Sequence, residues 1–122
     1  MPRTRQTICI IDDDESVRRA LRRLLRSVGL DVETFATAEE FLQAPAQPAP
    51  DYLVLDVHLP GLSGLELQAR LKTEGRHIPI VFITAYAEEC VREQALRAGA
   101  IAFLQKPFDE QVLLAAVAPP GN

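Results

Sequence analysis

The chain has 122 residues, which gives room for one domain of ordinary size with a self-supporting core. Its 48% hydrophobic and 25% charged residues exclude a wholly disordered chain, and 17 acidic against 13 basic residues, net charge -4, argue against a dedicated nucleic-acid binder. Cys9 and Cys90 are too few for a disulfide scaffold and read as reduced thiols, while no apolar run reaches the ~18–20 residues that span a bilayer and Met1–Gln6 has no apolar signal core behind it, so a cytoplasmic protein outside the membrane is expected.

The chain then alternates two periods. Ile8-Cys9-Ile10-Ile11 is a continuous, β-branched run, the pattern of a strand buried on both faces of a parallel sheet. Val17, Ala20, Leu21, Leu24, Leu25 and Val28 follow at helical spacing, and Gly29 closes that helix. Asp31-Val32-Glu33-Thr34-Phe35 alternates and suits an exposed edge strand. Thr37-Ala38-Glu39-Glu40 is a capping box opening a short second helix. Pro45, Pro48 and Pro50 break the chain before Leu53-Val54-Leu55, a third strand. Leu65, Leu67, Ala69 and Leu71 lie in a third helix ending near Gly75. Ile80-Val81-Phe82-Ile83 is a fourth strand. Glu88 and Glu89 open a fourth helix and Gly99 caps its C-terminus. Ala100–Leu104 reads as another buried strand, and a last helix runs from about Asp109 to Val117, stopped by Pro119-Pro120. This alternation predicts right-handed crossovers and a doubly wound α/β sandwich of five strands and five helices, one domain over 1–122 with 118–122 as a tail or the start of a linker.

In such a sheet ligands bind beyond the carboxyl ends of the strands. The first strand ends in Asp12-Asp13-Asp14, the third in Asp56 and the fourth in Thr84, and the fifth is followed by Lys106-Pro107. Crowded carboxylates repel, and a divalent cation removes the conflict. The donors are all hard oxygens with no His/Cys cluster, so Mg²⁺ is the expected ion. With a lysine and a hydroxyl beside them they can clamp a phosphoryl group, and a carboxylate can accept one as an aspartyl-phosphate. Lysine occurs only at positions 72 and 106; every other basic residue is arginine. A lysine at a strand end in so arginine-rich a chain suggests that a compact ammonium is wanted there.

The segments Ile11–Arg18, Leu55–Gly64, Ile83-Thr84-Ala85, Arg97–Ala100 and Lys106-Pro107-Phe108 carry a resemblance that covers residues 6–117. The sequence resembles a response-regulator receiver domain of bacterial two-component signalling, in the FixJ-like branch. The resemblance implies a flavodoxin-like fold with strand order 2-1-3-4-5. It makes Asp56 the phosphoacceptor for a sensor histidine kinase or histidine phosphotransfer protein. Asp12 and Asp13 are then the acidic pair that holds Mg²⁺, joined by Asp56 and the backbone carbonyl of His58. Lys106 pairs with the phosphoryl group across a cis peptide bond to Pro107. Thr84 is the switch hydroxyl, and Phe103 the aromatic that rotates with it. The implied output is transcription regulation, with a phosphorylation-dependent homodimer through the fourth helix, fifth strand and fifth helix. The chain is then no enzyme beyond its own phosphorylation and dephosphorylation, and does not bind nucleic acid itself.

Blander readings stand beside these. Asp12–Glu15 could serve only as an acidic helix cap, and Asp14 and Glu15 are expected to do that. Thr84 could be an ordinary strand residue and Phe103 an ordinary core residue. Gly61 and Gly64 serve the loop after Asp56, since no phosphate-binding glycine fingerprint is present. His58 and His77 are expected to face solvent, and Cys9 to be a small buried apolar residue. Arg18, Arg19, Arg22, Arg23 and Arg26 make the first helix basic, either as a solvated face or as a dock for the phosphodonor. Ser16 stands where many relatives have proline. The large polar groups of His58 and Tyr86, two residues past Asp56 and Thr84, leave the phosphate lifetime open. A haloacid-dehalogenase-type phosphatase is the alternative, but it wants an aspartate where His58 stands. A flavodoxin-type flavin carrier needs a phosphate loop where this chain has acids.

Overall fold

A computed structural model describes residues 6–117. Strands and helices alternate throughout: β1 (Thr7–Ile11), α1 (Glu15–Ser27), β2 (Asp31–Phe35), α2 (Ala38–Gln43), β3 (Tyr52–Asp56), α3 (Gly64–Thr73), β4 (Ile80–Thr84), α4 (Glu89–Arg97), β5 (Ala102–Gln105) and α5 (Glu110–Val117). The strands form one parallel sheet in the order β2-β1-β3-β4-β5. This is the flavodoxin-like doubly wound arrangement. The order reverses between β1 and β3, so the ends of these two strands border the crevice of the switch point.

Side chains alternate across the sheet, so each central strand feeds two cores. Cys9, Ile11, Leu53, Leu55 and Phe82 pack with Phe41 of α2, Leu67 and Leu71 of α3 and Ala95 of α4. Ile8, Ile10, Val54, Val81 and Ile83 pack with Leu21 and Leu25 of α1 and Leu113 and Val117 of α5. That is why β1, β3 and β4 read as continuous apolar runs. Full burial of one such side chain contributes about 1.5–3 kcal/mol.

The helix ends follow local chemistry. Asp14 caps α1, its carboxylate accepting from the Ser16 amide and hydroxyl. Those two hydrogen bonds, the hydroxyl's first, hold the Asp14 carboxyl below its ordinary range. Gly29 has φ +91° and ends α1 with the Gly29 amide on the Arg26 carbonyl and the Leu30 amide on that of Leu25. Gly99, with φ +109°, ends α4 by the same pair of bonds, from its own amide to Leu96 and from Ala100 to Ala95.

Several expectations need correction. β5 begins at Ala102, because the Ala100 amide is spent on the cap of α4 and Ile101 lies exposed at the bend. β5 is also an edge strand with half-buried side chains, not a strand covered on both faces. Ala20 of α1 and Val28, just past its end, face solvent; Leu30, just past Gly29, fills the core beside Leu25 instead. In α3, Ala69 is exposed and Gln68 is buried, its amide donating to the Ala95 carbonyl at 3.0 Å. The Thr37 box is half formed: Thr37 accepts from the Glu40 amide, but Glu40 reaches back to the Ala36 amide rather than that of Thr37. The full capping box is at Ser63 and Glu66, where α3 starts. The Pro119-Pro120 stop and the 118–122 tail lie outside the described residues.

Candidate functional site

The carboxyl ends of β1, β3 and β4 and the turn after β5 meet at one corner of the sheet. Asp12 follows β1 and is fully buried, Asp56 ends β3 and is 5% exposed, and Asp13 is exposed. One carboxylate oxygen from each lies within 4.8 Å of the other two. Lys106 closes the set: its Nζ donates to Asp12 Oδ2 at 2.7 Å and to Asp56 Oδ2 at 3.3 Å. The Lys106-Pro107 peptide bond is cis.

Each position is built by its local backbone. The Asp12 amide bonds the Phe35 carbonyl of β2, and Asp12 Oδ1 accepts from the Asp14 amide. Arg18 Nη1, from the first turns of α1, donates to the Asp12 carbonyl at 2.8 Å. Asp56 Oδ1 accepts from the His58 amide at 3.0 Å, a turn that fixes the carboxylate plane. Gly64, first residue of α3, lies so close that a Cβ there would overlap the Asp56 carbonyl, so only glycine lets the helix begin against the acid.

The electrostatics are those of a site short of positive charge. Burial pushes the Asp56 carboxyl up; the His58 amide pulls it down, Asp12 pushes it up again and Lys106 pulls it down, with a net rise. Burial works against the Lys106 ammonium. The hydrogen bond and charge of Asp12, joined by Asp56, outweigh that and raise its pKa. One ammonium thus serves two buried carboxylates with a third acid beside them, and the oxygen set fits a hard divalent cation.

Thr84 ends β4 and is fully buried, but its hydroxyl is engaged with Tyr86: it donates to the Tyr86 carbonyl at 3.0 Å and accepts from the Tyr86 amide at 3.1 Å. It is therefore near the acids in the fold and not bonded to them. Phe103, on β5, is half-buried and tilted against Phe82 with ring centres 6.2 Å apart. His58 and His77 are exposed, and the His58 ring stands edge-on to that of Tyr86 at 6.2 Å. Cys9 is buried and Cys90 exposed. Three features escaped the sequence reading: the bond of Arg18 to Asp12, the ring pair of His58 and Tyr86, and the contact of Glu39 with Leu62. Nothing in sequence spacing marks any of them.

Residues 8–118 match the family described as the response regulator receiver domain. The chain belongs to that family. Nodulation protein W of Bradyrhizobium diazoefficiens is 46% identical over 93% of this receiver domain and 50% of that protein. The transcriptional regulatory protein FixJ of Azorhizobium caulinodans is 40% identical over 88% of the receiver domain and 51% of that protein. Among solved structures, that of response regulator StyR superposes with a TM-score of 0.86 at 50% identity, over 93% of this chain and 57% of that one. The chain spans about half the length of the curated relatives it matches. It is a receiver domain of two-component signalling, and a FixJ-like assignment agrees with these relatives. The phosphatase alternative is not supported: the family match is to receivers, and His58 holds the position where that chemistry needs an acid. Among the described residues no helix is long and apolar enough to cross a membrane.

Proposed function

We propose that Asp56 of this receiver domain accepts a phosphoryl group from a sensor histidine kinase or a histidine phosphotransfer protein, in the cytoplasm, and that the change controls transcription through an output. The observation that carries this reading is the double contact of Lys106 with Asp12 and Asp56, which joins an acceptor, a cation-binding acid and a phosphate-pairing ammonium in one hydrogen-bonded set.

Asp12, Asp13, Asp56 and the backbone carbonyl of His58 would hold Mg²⁺, which when bound would offset the charge between the acceptor and the incoming phosphoryl group. The Asp56 carboxylate attacks phosphorus, the bond from phosphorus to the donor's histidine nitrogen breaks, and that nitrogen keeps the electron pair. Lys106 leaves the carboxylates for a phosphoryl oxygen, as a point charge suits. The Thr84 hydroxyl turns from the Tyr86 carbonyl to another phosphoryl oxygen, and Phe103 turns inward behind it. The basic face of α1 is the donor's dock: Arg18, Arg19 and Arg22 line a hollow with Glu15 and Thr34, and Arg18 is bonded to Asp12. The chain catalyses only its own phosphorylation and dephosphorylation, and does not bind nucleic acid itself.

The test is incubation with acetyl phosphate and Mg²⁺ followed by intact mass. The protein gains a single phosphoryl group, and Asp56→Asn abolishes the gain. Asp13→Ala, or chelation of Mg²⁺, lowers it steeply. Labelling of the Asn variant to a similar extent would remove Asp56 from its role.

A further inference from the structure

The loop 57–63 carries the chain from Asp56 to the Ser63 cap of α3. Its ends are tied by backbone: the Val57 amide bonds the Ile83 carbonyl at 3.0 Å, and the Gly64 amide bonds the Val57 carbonyl at 2.9 Å. Its middle is held from another element. Glu39 Oε2, from the first turn of α2, accepts from the Leu62 amide at 2.9 Å, 23 residues away in sequence. Gly61, the neighbour of Leu62, has φ +74°, and a Cβ there would come within 2.5 Å of the same oxygen. Gly61 thus supplies both the turn and the space, and Leu62 supplies the donor. An acid in the first turn of a helix ordinarily faces the helix dipole. Here the carboxylate reaches across to a loop and makes a charge-assisted hydrogen bond.

We propose that Glu39 is a positioning residue for cation binding. Its carboxylate clamps the loop so that the His58 carbonyl and the Asp56 carboxylate are set for Mg²⁺ before the ion arrives. This rests on the reading of Asp56 and His58 given above. Glu39 is exposed, so its replacement leaves the cores intact.

The test compares Glu39→Ala and Glu39→Gln with wild type in three measurements. The first is hydrogen exchange of the Leu62 amide in Mg²⁺-free protein, the second Mg²⁺ affinity by NMR titration, and the third acetyl-phosphate labelling at low and saturating Mg²⁺. In Glu39→Ala the Leu62 amide exchanges faster and Mg²⁺ affinity falls about tenfold, the lower range for loss of an outer-shell partner. Labelling slows at low Mg²⁺ and returns to the wild-type rate at saturation. Glu39→Gln, whose amide oxygen accepts the same bond, recovers most of the affinity. Unchanged Mg²⁺ affinity in Glu39→Ala overturns the proposal, as does an equal loss in both variants. If wild type takes no phosphoryl group, it is the reading of Asp56 that falls, and Leu62 exchange with Mg²⁺ affinity still decides the clamp.

Discussion

The Lys106 ammonium lies 2.7 Å from Asp12 and 3.3 Å from Asp56, so the lysine is bonded most closely to an acid that is not the proposed acceptor. Asp12 is fully buried and Lys106 is 21% exposed in its side chain, so the pair is poorly screened by water. A cation shared in this way would be held until something more negative arrives, and a phosphoryl group on Asp56 would be that.

Lys106→Ala should therefore act on stability as well as on signalling. It strands Asp12 and Asp56 without a counter-charge, at a cost of about 1–3 kcal/mol in Mg²⁺-free protein. Lys106→Arg should not restore signalling, since the larger, planar guanidinium does not fit where a single ammonium is to meet one phosphoryl oxygen. Urea unfolding and a reporter assay check the two halves. Wild-type signalling by the arginine variant would show that charge alone is enough.

Asp56 itself opposes folding when ionised. Its pKa is raised, by burial first and also by the charge of Asp12. A group with a raised folded pKa gives its stability in full below the ordinary value of 3.8 and loses it as pH rises through the raised value. At neutral pH the carboxylate is therefore a net cost. Asp56→Asn should melt a few degrees above wild type in Mg²⁺-free buffer at pH 7. The gap should close as pH falls. Added Mg²⁺ should raise the melting temperature of wild type far more than that of the variant, because it binds the native acids. An Asn variant that melts below wild type at pH 7 would contradict this.

The site was legible because it sits at strand ends, and strand ends are visible as the places where apolar runs stop. Asp12, Asp56 and Thr84 each follow such a run directly, and topology alone brings them to one edge. What was not legible depends on distances between elements. Glu39 reads as a helix cap until α2 is seen beside the loop 57–63. Gln68 carries no mark of burial in the sequence, and its place becomes clear only from its bond to Ala95 of α4. β5 read as a buried strand because its small and apolar residues carry no mark of an edge, and only the strand order makes it one. Ala20 and Val28 fit the helical spacing of α1, yet the width of the buried stripe is decided by the sheet beneath, which is satisfied by Leu21, Leu25 and Leu30.

The two thiols should differ sharply in reactivity. Burial, with the charge of Glu33, pushes the Cys9 thiol up to about 12, against a smaller opposing pull from Arg76. Only a thiolate attacks an alkylating reagent. At pH 8 iodoacetamide should modify Cys90 alone in native protein, and Cys9 only after unfolding. Peptide mapping by mass checks this. Equal labelling of both in the native state would mean that β1 opens readily to solvent.

On the proposed function, output depends on whether Thr84 can leave Tyr86. Its hydroxyl holds both backbone groups of Tyr86, and donating to a phosphoryl oxygen on Asp56 means giving up the bond to the Tyr86 carbonyl. A phosphoryl group adds roughly two negative charges and new acceptor oxygens, enough to compete for that donor. Movement of Thr84 toward Asp56 would open space beside β5. Phe103 is half-buried and tilted against Phe82, and would be the ring to turn into that space. The face formed by α4, β5 and α5 would change with it, and Ile101 and Val112, each 47% exposed, give it apolar area to bury. Two packings of one ring would thus convert a local charge into a change of surface. Beryllofluoride with Mg²⁺ should shift sedimentation of wild-type protein toward dimer at high concentration. Thr84→Ala should weaken that shift and leave Asp56 labelling by acetyl phosphate largely intact. Protein that binds the mimic and stays monomeric, with and without Thr84, would rule out the dimer and move the output to a partner docking on the same face.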